Sequence, residues 1–170
     1  MLSVSMAVAA TVLASAAGAK EAPAGLADWA AFIDERQQWC QRYRATPDQK
    51  KRAALFAKYT GAIKKKRFAA AAVPATVTGV ESTHNGSKVT LDVRTPYGEC
   101  TNSDVWALDS LYHIDRGTRL YDQVLELAEG QAVLVSLANV KPWHNELLPE
   151  ASMCNGRWLV RYTTVERAKK

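Results

Sequence analysis

Apolar residues recur at helical spacing over the first third of the chain. From Leu26 to Ala45 they lie mostly three, four or seven positions apart, which predicts an amphipathic helix. A second helix is predicted to begin within Thr46 to Gln49, which combines a capping threonine, a proline for the first helical position and a glutamine that completes a capping box. The short turn between the two helices predicts a helical hairpin over residues 26–68. The alanine-rich residues 69–74 are interpreted as a linker.

Beyond Pro74 the apolar pattern changes from a helical period to an alternating one. Alternation of apolar and polar positions over a short segment is typical of strands that bury one face. Strands are predicted over residues 75–81, 89–94, 131–140 and 157–166. Asn85 and Gly86 separate the first two strands, and this pair of residues favours a tight hairpin turn.

Helical spacing returns between Gly117 and Gly130, so one helix is predicted inside the strand region. Asp104 to Leu111 has to supply a further strand, and residues 142–152 are expected to form a loop. Five short strands with one inserted helix suggest a small barrel of the oligonucleotide/oligosaccharide-binding (OB) type. The predicted fold class is therefore α+β: an N-terminal helical hairpin followed by a small OB-like β-barrel, residues 75–167, with one inserted helix.

The barrel region resembles exported bacterial OB-fold proteins related to the anticodon-binding domain. The resemblance depends on three segments, ATVTGVESTHNGSKVTLDVRT, LAEGQAVLVSLANVK and RWLVRYTTVER, which are similar to the opening hairpin, the Gly-x-x-Val strand and the closing strand of that group. These are β patterns without a diagnostic motif, so the resemblance implies a fold far more than a function.

The same region is more faintly similar to thermonuclease-type barrels. Members of that family carry an Asp-Gly-Asp-Thr turn and a third strand that contains arginine and ends in Asp-x-Pro-Glu, because calcium needs carboxylate oxygens and phosphodiester cleavage needs cations. Here the turn reads His84-Asn85-Gly86-Ser87, and the third strand offers only Asp109 as a match. The similarity therefore brings no catalytic residues to this chain.

The N-terminal segment is predicted to be a signal peptide, residues 1–19, cut near Ala19. It holds no charged side chain, is too short to span a bilayer, and ends in the small-x-small sequence Ala17-Gly18-Ala19, which suits signal peptidase. It also lacks the lysine or arginine usual before the apolar run, and an alanine-rich N-terminal helix is the alternative. The expected location is the periplasm or the outside of the cell, with no transmembrane segment in the mature protein.

The three cysteines fit an oxidising compartment with one disulfide and one spare thiol. Cys100 and Cys154 both lie in loop-like sequence at predicted strand ends, whereas Cys40 lies in a helical pattern. Spacing alone allows three pairings, and Cys100–Cys154 is the one we expect. No CxxC or HxxxH spacing occurs and the histidines are scattered singly, so neither a metal site nor a cofactor is predicted.

Charge is distributed unevenly along the chain, whose net charge is +5. Residues 34–67 hold eleven Lys or Arg against three Asp or Glu, whereas residues 68–170 hold ten against twelve. The predicted hairpin is therefore strongly basic, and the run Lys64, Lys65, Lys66, Arg67 is its densest part. Such a cluster either contacts a polyanion or an anionic surface, or is an ordinary solvated helix face.

Two further groups of residues are candidate contacts. Asp92 and Arg94 lie two positions apart on the outward face of one strand, which is typical of a solvated ion pair and, less often, of a ligand contact or a catalytic pair. Trp143 and His144 lie in the loop between the last two strands, where OB-type barrels often bind ligands. The alternative is that Trp143 folds back onto the mouth of the barrel.

These features favour a non-catalytic binding module of the bacterial envelope over an enzyme. No nucleophile-elbow motif occurs, and no serine is placed with a histidine and an aspartate. The barrel and the basic hairpin are expected to contact an envelope protein or an anionic surface. Nucleic-acid binding by the barrel, or a degenerate thermonuclease-like role, is the alternative.

Overall fold

The computed structural model of the protein describes residues 25–83, 85–103 and 112–168. Its helices are α1 (Leu26–Ala45), α2 (Gln49–Ile63), α3 (Arg119–Leu125) and α4 (Pro149–Cys154). Its strands are β1 (Phe68–Thr83), β2 (Lys88–Thr95), β3 (Gly98–Thr101), β4 (Ile114–Asp115), β5 (Ala132–Pro142) and β6 (Arg157–Arg167). A membrane-spanning helix, judged by length and apolar character, does not occur in this described part of the chain.

Five of the strands close into a barrel. β1 pairs with both β2 and β5, β5 pairs with β6, and β6 pairs with β3, which returns to β2. The β3–β6 pair is parallel and the other pairs are antiparallel, while β4 extends the β3 side at the start of β2. A closed five-stranded barrel that follows two helices and contains an inserted helix confirms the predicted fold class. The arrangement is compatible with an OB-like barrel.

Alternating residues of the long strands fill the barrel interior. The side chains that are most completely buried there come mainly from β1, β2, β5 and β6, and are Val73, Val77, Val89, Leu91, Val93, Val133, Val135 and Trp158. Branched side chains suit this position because they pack well on a pleated surface and lose little rotamer freedom there. The alternation seen in the sequence therefore marks the core face correctly in β2, β5 and β6.

Helices close the two ends of the barrel. α1 covers the end where β6 begins: Trp29, which is fully buried, contacts Trp158 edge-on with ring centroids 5.4 Å apart. α3 covers the opposite end, where the Tyr121 hydroxyl donates a hydrogen bond to the Gly86 carbonyl in the β1–β2 turn. Val124 of α3 is also fully buried. The amphipathic stripes predicted for both helices thus face the barrel.

The linker predicted for residues 69–74 is wrong, because β1 already begins at Phe68. Ala70 and Val73 are buried, and the segment pairs with β5 up to and beyond Pro74. Pairing with β2 starts only at Thr76. Pro74, which has no N–H to donate, is therefore tolerated because one side of the strand is unpaired at this point.

The start of α2 differs from the predicted capping box. Asp48 is the N-cap, and its carboxylate accepts a hydrogen bond from the Lys51 N–H at 2.7 Å. Thr46 instead belongs to the end of α1, where its hydroxyl donates to the Arg42 carbonyl. Aspartate satisfies a free N–H of the first turn as well as threonine does, so residue type alone could not decide between the two.

The predicted loop 142–152 also contains more structure than expected, since the short helix α4 occupies its second half. Two predictions fall outside the described residues: the signal peptide 1–19 and the strand 104–111.

The predicted disulfide Cys100–Cys154 is wrong, because Cys154 is bonded to Cys40, with the two Cα atoms 5.0 Å apart. Cys100 lies on β3 between Val93 and Trp158 of the neighbouring strands and is buried in the barrel. Burial raises the pKa of its thiol to about 12. Cys154 ends α4, which packs on the outside of the barrel against α1. Cys40 of α1 is therefore the cysteine within reach of Cys154.

Candidate functional site

A cleft of about 370 Å³ lies between the end of α2 and the loop that joins β5 to β6. The side of α2 contributes Thr60, Ile63 and Lys64, followed by Arg67; the other side consists of Lys141, Pro142, Trp143, His144 and Glu146, with Leu159 from β6. We call it the basic cleft. It brings together four of the residues predicted from the sequence, Lys64, Arg67, Trp143 and His144.

The position of Trp143 is fixed by its neighbours. Its side chain is 8% exposed, its backbone N–H donates to the Arg157 carbonyl at 3.1 Å, and the Arg157 guanidinium lies 5.8 Å from its ring centroid. A guanidinium this close to an indole is attracted to the face of the ring. Trp143 therefore folds back onto the barrel and also lines the basic cleft.

His144 offers two polar atoms without partners. Its ring stacks on Phe56 of α2, with centroids 5.3 Å apart and planes inclined by 23°. Both ring nitrogens are buried, and neither makes a hydrogen bond to any described residue. Burial lowers the pKa of His144, against the opposing influence of Glu146. Since an unperturbed histidine titrates near pH 6.5, this ring is uncharged at neutral pH.

The charge of the basic cleft comes from its cations. Lys64, Arg67 and Lys141 face one carboxylate, Glu146. Arg67 donates to the carbonyls of Lys64 and Lys66, at 3.3 and 2.7 Å, so it also satisfies carbonyl groups just past the end of α2. The Lys141 ammonium lies 5.0 Å from the ring of Tyr112. An excess of positive charge between apolar walls attracts anions more strongly than the same charges spread over open surface.

The basic run at the end of α2 is divided between two faces. Lys64 and Arg67 line the basic cleft, whereas the Lys66 ammonium lies 3.5 Å from the Glu35 carboxylate of α1 and 5.3 Å from the ring of Phe32. Lys65 is exposed and does not line the cleft. α2 ends at Ile63, and the four residues that follow it therefore point in different directions.

Asp92 and Arg94 do not form the predicted pair and lie on β2, away from the basic cleft. Arg94 is instead paired with Glu99, which is directly opposite it on β3, with a nitrogen–oxygen distance of 3.3 Å. Asp92 lies opposite Gly79, and one of its carboxylate oxygens is buried without a hydrogen-bond partner among the described residues. Directly opposite residues on neighbouring strands are closer than residues two apart on one strand, which are roughly 7 Å apart, and this decides the partner.

A buried arginine holds the loop that carries Trp143 and His144. Arg36 of α1 is 4% exposed and donates to the Ser152 carbonyl at 2.7 Å, to the Arg157 carbonyl at 3.2 Å and to the Asn155 side-chain oxygen at 3.2 Å. No carboxylate lies within ion-pair distance of it in the described chain. Three acceptors from one loop region thus compensate for the buried charge.

The loop is closed by further bonds near the same point. The Ser152 hydroxyl donates to the Asn145 carbonyl at 2.9 Å and accepts from the Asn145 N–H at 2.8 Å, while the Tyr59 hydroxyl donates to the Ser152 carbonyl. Together with the disulfide at Cys154, these contacts hold the loop in one position against α1 and α2. Contacts within the chain therefore fix the loop side of the basic cleft.

No known protein family, curated protein or solved structure matches this chain. Within residues 25–83, 85–103 and 112–168, no group of three or more metal-ligating side chains could hold an ion. Sequence reasoning missed Lys141 as a member of the site, and it missed Phe56, which stacks on His144. Lys141 directly follows the strand predicted for residues 131–140 and lies two positions before Trp143, and that position is the signal available for it.

Proposed function

We propose that this protein is an exported binding module that recognises an anionic partner through the basic cleft. The observation that carries the proposal is the convergence of Lys64, Arg67 and Lys141 on a cleft with aromatic walls, opposed by a single carboxylate. Charge supplies the attraction and the rate of encounter, while the buried walls supply specificity. The proposed class is an exported OB-fold protein of the bacterial envelope.

Binding is favoured over catalysis by the surroundings of His144. A general base has to lie within hydrogen-bond reach of the group that it deprotonates. Both nitrogens of His144 are buried and neither has such a partner among the described residues, while the ring stacks on Phe56. These surroundings support a packing role for the ring over proton transfer.

Export is supported by the disulfide. Bridges persist in oxidising compartments and are rare in the cytosol, where thiols are kept reduced. A bridge between Cys40 and Cys154 is therefore what a protein of the periplasm or the extracellular space would carry.

The intact mass of protein taken from its native host tests this compartment. After alkylation of the denatured, unreduced protein, we expect a chain that begins at Lys20 and carries one alkyl group, on Cys100. Reduction before alkylation should raise the number of alkyl groups to three. A full-length chain from the cytoplasmic fraction with three alkylated thiols before reduction would overturn the export proposal.

Charge reversal at adjacent positions tests the basic cleft. Lys64→Glu should weaken binding of a labelled oligoglutamate peptide by about tenfold, roughly 1.4 kcal/mol, because it replaces an attractive charge in the cleft by a repulsive one. Lys65→Glu changes the net charge equally but lies outside the cleft, and we expect no more than about a twofold loss. Fluorescence anisotropy at fixed ionic strength measures both affinities.

Equal losses in the two variants, or no binding by the wild type, would contradict the proposed site. A labelled oligothymidine of matched charge is the second probe in the same assay. Binding of the oligothymidine that exceeds binding of oligoglutamate and falls steeply with salt would favour the nucleic-acid alternative instead.

A further inference from the structure

The basic cleft is one end of a longer groove along α2. A second depression of about 870 Å³ shares Thr60 and Glu146 with it, and a third of about 560 Å³ shares Tyr43 and Pro149 with the second. The first two follow the boundary between α2 and the β5–β6 loop, and the third continues between the end of α1 and α4. We call the whole furrow the α2 groove.

The α2 groove changes in chemistry from one end to the other. The basic end is the cleft described above. The middle is walled by apolar side chains, Tyr43, Ala53, Phe56 and Ala57 among them. At the far end Leu147 and Leu148 lie side by side in the chain, 84% and 51% exposed. Two adjacent, largely exposed leucines on a loop that is otherwise held firmly in place mark a contact surface.

The cations of the middle and far end are already engaged. Arg52 donates to the Thr46 carbonyl and lies 5.4 Å from the ring of Tyr43. Arg44 is paired with Glu150 at 2.9 Å. Lys64, at the basic end, makes no ion pair, side-chain hydrogen bond or ring contact with a described residue, and the middle of the groove is walled mainly by apolar side chains.

We propose that the α2 groove binds an extended peptide segment of a partner protein. Apolar residues of that segment lie against Phe56 and the two leucines, and acidic residues lie at the basic end. This inference depends on the proposed function, since it names the class of the anionic partner. The proposed segment carries apolar residues at one end and acidic residues at the other. This order distinguishes recognition of the segment from the general attraction of a polyanion to positive charge.

The length of the groove fits such a segment. The part of the groove along α2 runs from Gln49 to Lys64, which corresponds to roughly 22 Å at 1.5 Å per residue. An extended chain covers that distance with about seven residues. A segment of that length is within the range of peptides that proteins recognise in grooves beside helices.

The shape and the charge of the groove favour a peptide over the other anionic partners. A bilayer surface is flat and would contact the protruding Leu147 and Leu148, but it would not follow the walls at Phe56 and Ala53, which lie inside a depression. Nucleic acid spaces its phosphates evenly and needs cations along its whole path. Here Glu146 lies at the junction between the basic end and the apolar middle, where it would repel a continuous phosphate backbone.

A displayed library of random dodecapeptides, selected on the full protein, tests the proposal. We expect the enriched peptides to combine apolar residues at one end with acidic residues at the other. Ala53→Trp should weaken a selected peptide by at least about tenfold, because the indole fills the middle of the groove. Ala54→Trp is the matched control, since Ala54 is also exposed but is turned by about 100° around the helix. It should leave the affinity within about twofold.

Each outcome separates this inference from the proposed function. If oligoglutamate binding depends on Lys64 but Ala53→Trp does not change the affinity of the selected peptides, the proposed peptide groove is refuted. The proposal of an anion-binding cleft then stands. If phosphatidylglycerol vesicles bind more tightly than any selected peptide, and Ala53→Trp leaves that binding unchanged, the partner is a membrane surface. If neither oligoglutamate nor any peptide binds, both proposals fail.

Discussion

Replacing Cys40 and Cys154 by alanine will lower the free energy of unfolding by about 4 kcal/mol. The bridge joins residues separated by 114 positions, so it removes a large amount of conformational freedom from the unfolded chain. Longer closed loops gain more from a cross-link, although the gain rises only with the logarithm of loop length. Urea denaturation followed by tryptophan fluorescence measures the change as a shift of the transition midpoint.

A reductant provides the matched control for this prediction. Dithiothreitol should destabilise the wild type by about as much as the double substitution does, and it should leave the double variant unchanged. Cys100 is buried in the barrel and is not bridged, so the reductant has no other disulfide to act on in the described chain. A double variant as stable as the oxidised wild type would show that the unfolded chain is already compact around these residues.

Replacing Arg36 by alanine will lower the free energy of unfolding by about 3 kcal/mol. The substitution leaves the Arg157 carbonyl and the Asn155 side chain without their charged donor. It also opens space against the ring of Trp158, which lies 5.0 Å from the guanidinium carbon. Lost charge-assisted hydrogen bonds and a new cavity act in the same direction.

Two further variants separate these contributions. Gln37→Ala, at an exposed neighbouring position of α1, should change the free energy of unfolding by less than about 0.5 kcal/mol. Arg36→Met keeps most of the side-chain volume but donates no hydrogen bond. If Arg36→Met is as stable as the wild type, the hydrogen bonds contribute little net stability, as is known for some buried charged groups.

The elements that alternate cleanly in sequence could be predicted, because their pattern records which side faces the core. β2, β5 and β6 place valine, leucine and tryptophan inward at every second position. The strand predicted for β1 is too short because the first half of β1 is mostly alanine, which has low β propensity and gives no clear alternation. Its pairing with β5 decides its conformation, and that pairing is a property of the folded chain.

The cysteine pairing failed for a different reason. The loop-like sequence around Cys100 and Cys154 suggests that both thiols are exposed. Whether two thiols can bond, however, depends on which face of its helix or strand each side chain occupies. A usable signal was present: Trp29, Phe32, Arg36 and Cys40 lie three or four positions apart on one face of α1. That stripe marks the buried side of the helix, and it includes both the bonded cysteine and the arginine that holds the loop.

The sequence indicates both groups of residues that line the basic cleft, but it does not indicate that the two groups lie close together in the fold. The run from Lys64 to Arg67 and the pair Trp143 and His144 were recognised separately, far apart along the chain. Their contact arises because α2 lies along the β5–β6 loop, as the stacking of Phe56 on His144 shows. Nothing in the spacing of single residues encodes such a contact.

The Cys40–Cys154 disulfide has to form between cysteines that are synthesised in a fixed order. A chain that emerges from its N-terminus exposes Cys40 first, Cys100 next and Cys154 near the end, so the wrong partner is available to Cys40 before the right one. Cys100 pairs in register with Trp158 of β6, and β6 begins three residues after Cys154. The segment that carries the correct thiol is therefore followed at once by the strand that covers the competing one.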